Sequence, residues 1–353
     1  MLLEIYSEAI KLRTISFAQE KYDYLMQNQT LYLSNKSYYD YNLVLLYLLL
    51  TIKKYNEEVD KFISLITEQE GSLNASQKYL LKKCIGIYHF NKSEYAISSK
   101  FFDEANLIFP ESHFDDYEKA DLAYMNSLAK LSNSQLLNAV EIVSYATTYF
   151  QNAVIFPRII ECLMVEGIAF QRLQNLNKAK ENFNQALKIS ENSNYEKLKA
   201  IIYQNLGSVN AALGNLSTSL EYHMNSLDLK ENVREKVLTI FSIIQIYSRK
   251  KDYTLLEEWI EKGLLLVGED DNLKPYFYHF KVYQQLFLQF NDLKFIDNAM
   301  KYFEDNKDYR HVYKYGIKIA EILKEKSKYK QATDYYQHAI HIKNNHLLHW
   351  EDL

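Results

Sequence analysis

Apolar side chains recur at helical spacing along almost the whole chain. Between Ile201 and Leu227, Ile202, Leu206, Val209 and Leu213 mark one helical face, Gly214-Asn215 interrupts it, and Leu220, His223, Met224 and Leu227 resume the period. This predicts a helical hairpin. Its small residues follow a fixed order: Gly207, Ser219 twelve positions on, Ser226 seven after that, and Leu216 three before the first serine.

The order recurs. A shift of 40 lands on Gly167, Leu176, Ala179 and Ala186, and another 40 on Ser127, Leu136, Ala139 and Ala146. A further 41 back lie Gly86, Tyr95, Ser98 and Ala105. Forward lie Ile244, Tyr253, Leu256 and Gly263, then Ala320, Tyr329, Ala332 and Ala339. The interval of 76 between these last two leaves room for a degenerate hairpin from Tyr276 to Glu304, making seven. This is the order of tetratricopeptide (TPR) repeats, with small residues where two helices cross. A lone hairpin cannot bury its apolar face, so the units are expected to stack into a right-handed superhelix whose first helices, the A helices, line a concave surface.

Residues 1–72 lack this order. Their period predicts three helices, roughly Leu2 to Met26, Tyr38 to Lys54 and Asn56 to Glu70, forming a small bundle. A polar linker from Gly71 to Ser76 follows, with Ser76 as the expected helix cap, so the chain divides into a bundle (1–72) and a repeat domain (73–353). Only 8 Gly and 3 Pro among 353 residues, with 48% hydrophobic residues, fit long helices; the expected class is all-α.

Composition then excludes several functions. A net charge of -4 with mixed signs gives no field for nucleic acid, and the first helices are too long and aromatic for a helix-turn-helix. Lys53-Lys54, Lys82-Lys83 and Arg249 to Lys251 read as solvated helix ends. The longest apolar run, Tyr41 to Ile52, falls short of the about 20 residues that span a bilayer and reads as a buried helix. Glu4 and Glu8 in the first apolar run disfavour a signal peptide, and Cys84 and Cys162 read as isolated buried thiols, so a cytosolic protein is expected. His338 with His341 and His346 with His349 are spaced to share a helix face but lack a third ligand, so they read as surface residues, not a metal site. Phosphate loops, nucleophile elbows and CxxC pairs are absent, so neither a cofactor nor a catalytic residue is assigned.

The bundle followed by about seven hairpins resembles the Rap family of peptide-pheromone receptors. The segments Ile243 to Gly263, Tyr203 to Tyr222 and Tyr313 to Tyr336 look like Rap hairpins in register. The resemblance extends to the wider RRNPP group of quorum-sensing regulators. It implies a short signalling peptide bound in the concave groove, an N-terminal bundle engaging a protein target such as a response regulator, and a possible homodimer. Asn205 falls on the family's peptide-clamping asparagine, and Gln245 also matches. Rap phosphatases carry a water-positioning glutamine near the start of the second bundle helix. The matching stretch here, Ser37 to Asn42, has none, leaving Asp40 or Asn42 as substitutes if the chain hydrolyses a response-regulator aspartyl phosphate.

The concave stripe of each A helix follows from its period. It supplies the candidate peptide-binding residues Glu161, Met164, Gln171 and Arg172 in one unit, Gln204, Asn205 and Ser208 in the next, and Phe241, Ser242 and Gln245 in the third. Carboxamides suit an extended peptide, since each offers a donor and an acceptor side by side to a peptide unit. Polar side chains on a groove wall are also what solvent selects. Three readings therefore stand: peptide receptor, Rap-like phosphatase, and TPR scaffold for a protein tail.

Overall fold

The computed structural model describes residues 1–32, 37–53, 57–191 and 195–346. They form eighteen α-helices and four short 3-10 turns, with no strand among the described residues. No helix there is long and apolar enough to cross a membrane. The chain divides into two compact units, Met1–Leu173 and Gln174–Leu353.

The first unit opens with α1 (Leu2–Leu12), α2 (Ile15–Gln27), α3 (Tyr38–Ile52) and α4 (Glu57–Glu68). The single helix expected from Leu2 to Met26 is thus two. Arg13 turns left-handed (φ 51), and the Thr14 hydroxyl accepts the Phe17 amide to start α2. The apolar period runs across the break, and no Gly or Pro marks it. Helix α3 is buried at every position from Tyr41 to Leu50, as an all-round apolar helix must be, and touches α1, α2, α4 and α5.

Three A helices, α5 (Ala75–Asn91), α7 (Asp116–Ser132) and α9 (Phe156–Arg172), alternate with α6 (Tyr95–Ile108) and α8 (Leu136–Asn152). The cap of α5 is Asn74, not Ser76: Asn74 and Gln77 form a reciprocal capping box, while the Ser76 hydroxyl accepts the His113 amide. Lys83, expected at a solvated helix end, is 0% exposed. Its partners lie on other helices, beyond the reach of a local charge pattern.

The second unit runs α10 (Leu176–Glu191), α11 (Glu196–Ala212), α12 (Leu216–Leu229), α13 (Val233–Lys250), α14 (Tyr253–Val267), α15 (Lys274–Phe287), α16 (Leu293–Asp305), α17 (Tyr309–Glu325) and α18 (Tyr329–His346). Each helix packs on the next, and the A helices α11, α13, α15 and α17 also touch in sequence. The degenerate hairpin is α15 and α16, where aromatic rings replace small residues: Tyr278 stacks on Tyr302 at 4.3 Å.

The structure explains the small-residue order. Ser98 Oγ donates to the Gly86 carbonyl at 2.8 Å, and Ser219 Oγ to the Gly207 carbonyl at 2.7 Å, clasping the two helices of these two hairpins. A Cβ on Gly86 would stand 2.5 Å from the Phe102 ring, and one on Gly207 2.6 Å from His223. Seven residues after the small position the chain turns left-handed, at Ser93, Ser134, Gln174, Gly214, Lys251 and Ser327. Only Gly214 is the residue such a turn favours, so the other turns carry no glycine signal.

Candidate functional site

In the first unit, two of the predicted residues are tied into the protein. Glu161 Oε2 accepts from Arg13 at 2.6 Å and from Arg158 at 2.7 Å. Arg158 bonds Asp121 at 2.8 Å, Asp121 bonds Lys83 at 2.8 Å, and Lys83 bonds Glu118 at 2.7 Å, where the Tyr6 and Tyr79 hydroxyls also donate. Burial alone would lower the Lys83 pKa; Asp121 and Glu118 outweigh it and hold the ammonium above the usual lysine range. These bonds join α1, α5, α7 and α9. Arg172 donates to the Leu131 carbonyl near the end of α7 at 2.8 Å, capping that terminus. Arg249 does the same for the Ala211 carbonyl of α11 at 2.8 Å. Met164 is buried and Gln171 half-buried.

In the second unit, Gln204 is the centre of a polar cluster. Its Oε1 accepts from Lys230 Nζ at 3.1 Å and Thr239 Oγ1 at 2.8 Å, and its Nε2 donates to Ser242 at 3.0 Å. Lys230 also donates to Thr239 at 2.6 Å. Burial, only partly offset by the Glu235 carboxylate, pushes the Lys230 pKa down to about 8. Asn205 is half-buried, and its Nδ2 is a buried donor without a hydrogen-bond partner. Ser208 donates to the Gln204 carbonyl at 2.9 Å, and Gln245 bonds the Tyr283 hydroxyl.

Phe241, expected to face a ligand, is 6% exposed. Its ring stacks on His279 of α15 at 4.6 Å and meets Tyr283 edge-on at 5.6 Å. The β-carbon period places it on the concave stripe, yet the aromatic residues of the degenerate hairpin draw it inward. Beside it, His279, Asp308 and His311 form a cluster that helical spacing does not reveal, because 29 residues separate the first two. Burial, followed by the neighbouring His311, pushes the His279 pKa down to about 3.

The C-terminal histidines do not gather. His338 pairs with Glu304 at 3.2 Å and His341 with Asn345 at 3.0 Å, with no third metal ligand beside them among the described residues; His349 lies outside those residues. In the bundle, Asp40 accepts from Gln77 at 2.9 Å, and Asn42, 5% exposed, donates to the Tyr38 carbonyl at 2.8 Å. Cys84 and Cys162 are free and buried.

No family model matches the chain. It is similar to the transcriptional activator NprA of Geobacillus stearothermophilus, 26% identical over 79% of this chain and 71% of that protein. It is also similar to response regulator aspartate phosphatase I of Bacillus subtilis (strain 168), 24% identical over 77% of this chain and 70% of the relative. Its fold matches the apo quorum sensor NprR from B. thuringiensis with a TM-score of 0.85 at 15% identity, covering 97% of each chain. NprR in complex with its cognate peptide NprX gives 0.65 at 17% identity, covering 98% of this chain and 97% of that one. Two relatives matched over more than three quarters of the chain, together with solved structures of the same helical fold, lead to one conclusion: this chain is similar in sequence and fold to the Rap and NprR proteins.

Proposed function

We propose that the protein is a cytosolic receptor for a short extended peptide, which it holds on the polar stripes of its A helices, and that it regulates a protein target through residues 1–72. The observation that carries this is the unmet Nδ2 donor of Asn205, adjacent in the chain to Gln204, which bonds Ser242 and Lys230. A buried amide without a partner is destabilising in the free protein and offers a peptide carbonyl a bond that water does not already supply. Lys230, a buried ammonium bonded to Gln204 and Thr239, suits a ligand carrying a carboxylate in the same region. The relatives agree: NprR is solved with a cognate peptide, one relative is named a transcriptional activator and the other a response regulator phosphatase. Regulation of a response regulator or of transcription is therefore the expected output.

Aspartyl-phosphate hydrolysis by this chain has weaker support. Asn42 is buried and bonded within its helix, and Asp40 is occupied by Gln77.

The test presents a pool of short linear peptides to immobilised full-length protein, identifies those retained, and measures their affinity by calorimetry for the wild type and Asn205→Ala. Loss of one or two hydrogen bonds to a desolvated peptide unit should cost about 1–3 kcal/mol. If no peptide is retained the receptor reading fails; if retained peptides bind the variant equally well, Asn205 is not the clamp.

A further inference from the structure

His279, Asp308 and His311 stand together in the second unit, behind the Phe241 ring. Asp308 is the N-cap of α17, and His311 is three residues into that helix. The Asp308 carboxylate accepts the His311 backbone amide at 3.4 Å, and His311 Nδ1 lies 2.8 Å from both its oxygens. One helix start therefore orients an imidazole and a carboxylate toward the same point. The third group comes from α15. The His279 ring is held flat between Phe241 at 4.6 Å and Phe303 at 4.5 Å, so only its edge nitrogens are available. Nδ1 lies 2.7 Å from the Tyr315 hydroxyl, and Nε2 lies 3.9 Å from Asp308 Oδ2.

That last distance is informative. It is too long for a hydrogen bond, yet two donors that share one ion with bonds of about 2.0–2.2 Å sit roughly 3–4 Å apart. One potential ligand atom from each of the three residues lies within 4.8 Å of the others. We propose that His279, Asp308 and His311 bind a divalent transition-metal ion of the zinc type through two imidazole nitrogens and one carboxylate oxygen. The chemistry of the set favours such an ion over magnesium or calcium, which take oxygen ligands. The surroundings match those of metal-bound histidines. Tyr315 engages the far nitrogen of His279 and holds the ring edge, and with Nδ1–H donated to the tyrosine oxygen the lone pair of Nε2 would face Asp308. The phenyl rings on either side prevent rotation of the imidazole. With three protein ligands, a tetrahedral ion keeps one position for water or another donor. The ion would join α15 to α17, the first helices of the last two hairpins, directly behind the Phe241 ring of α13.

The experiment uses the full chain, stripped with a chelator and titrated with Zn2+ by calorimetry, with Co2+ absorption reporting the ligand field. One saturable site is expected, together with a higher melting temperature on loading. Asp308→Asn keeps the cap acceptor and His311→Gln keeps a polar side chain on the helix, so both variants should fold; circular dichroism checks this. Each should weaken Zn2+ binding by roughly tenfold or more and remove the Co2+ spectrum. The double variant His338→Ala/His341→Ala, on the exposed face of α18, should bind as the wild type does. Absence of saturable Zn2+ binding in the wild type, or binding that survives Asp308→Asn and His311→Gln, overturns the proposal.

Discussion

His223 shows how a single side chain departs from its repeat. Sixteen residues after the small position, successive hairpins place Phe102, Val143, Phe183, His223 and Ile260, all buried, and only one of these is polar. His223 Nδ1 has no partner, and burial, followed by the nearby Lys230, pushes its pKa down to about 4. A folded value below that of the free imidazole means that the unfolded chain binds the extra proton first. Stability is therefore full above about pH 6.5 and is lost as pH falls toward about 4, by about 3 kcal/mol in all. Gly207 leaves room for the ring as Gly86 does for Phe102. His223→Phe should raise stability at neutral pH by about 1–2 kcal/mol and flatten the acid limb, measured by urea unfolding across a pH series. An unchanged pH slope would show that another group titrates. The sequence made Gly207 and Ser219 legible because their positions follow from a local period. Lys83 and Phe241 were misplaced because what decides their burial is 35 residues or more away: Glu118 for the first, His279 for the second.

A hairpin holds together through its clasp and its crossing point. Gly207→Leu puts an isobutyl group into the His223 ring and should lower the denaturation midpoint by the equivalent of about 1–3 kcal/mol. Gly71, around which a Cβ meets nothing within 4 Å, is the control, and Gly71→Leu should have little effect. Equal effects at both sites would mean that the small position is not a crossing point. Elements were legible where apolar spacing and a break coincide, as in α11 and α12. They were not where the break is made by the backbone alone. Arg13 and Thr14 divide α1 from α2 with residues that a continuous helix also accepts, and Thr14 acts as a cap only once the chain has turned.

Over the whole molecule, repetition carried the reading: six units of one residue order yielded the all-α class and the number of hairpins. What repetition cannot show is whatever occurs once. The charge chain from Tyr6 to Glu161 and the His279 cluster occur once each, and they depend on contacts between distant residues. The clasp has a further consequence, for how such a chain changes length. The step between the two marker positions within a hairpin is twelve in all six units, small to small in every one but that of Ile244 and Leu256, while successive hairpins start 41, 40, 40 and 37 residues apart. Where the second position is serine, at Ser98 and Ser219, its bond to the carbonyl twelve residues before acts as a ruler across the turn inside that hairpin. Two residues spliced in after Glu269, at the exposed seam before α15, should leave the melting temperature within a degree or two, since lengthening a loop adds well under about 1 kcal/mol. The same splice after Gly214 pulls Ser219 off the Gly207 carbonyl and should lower it clearly. Added residues are thus expected to be accepted at such a seam and refused inside the hairpin that Ser219 clasps.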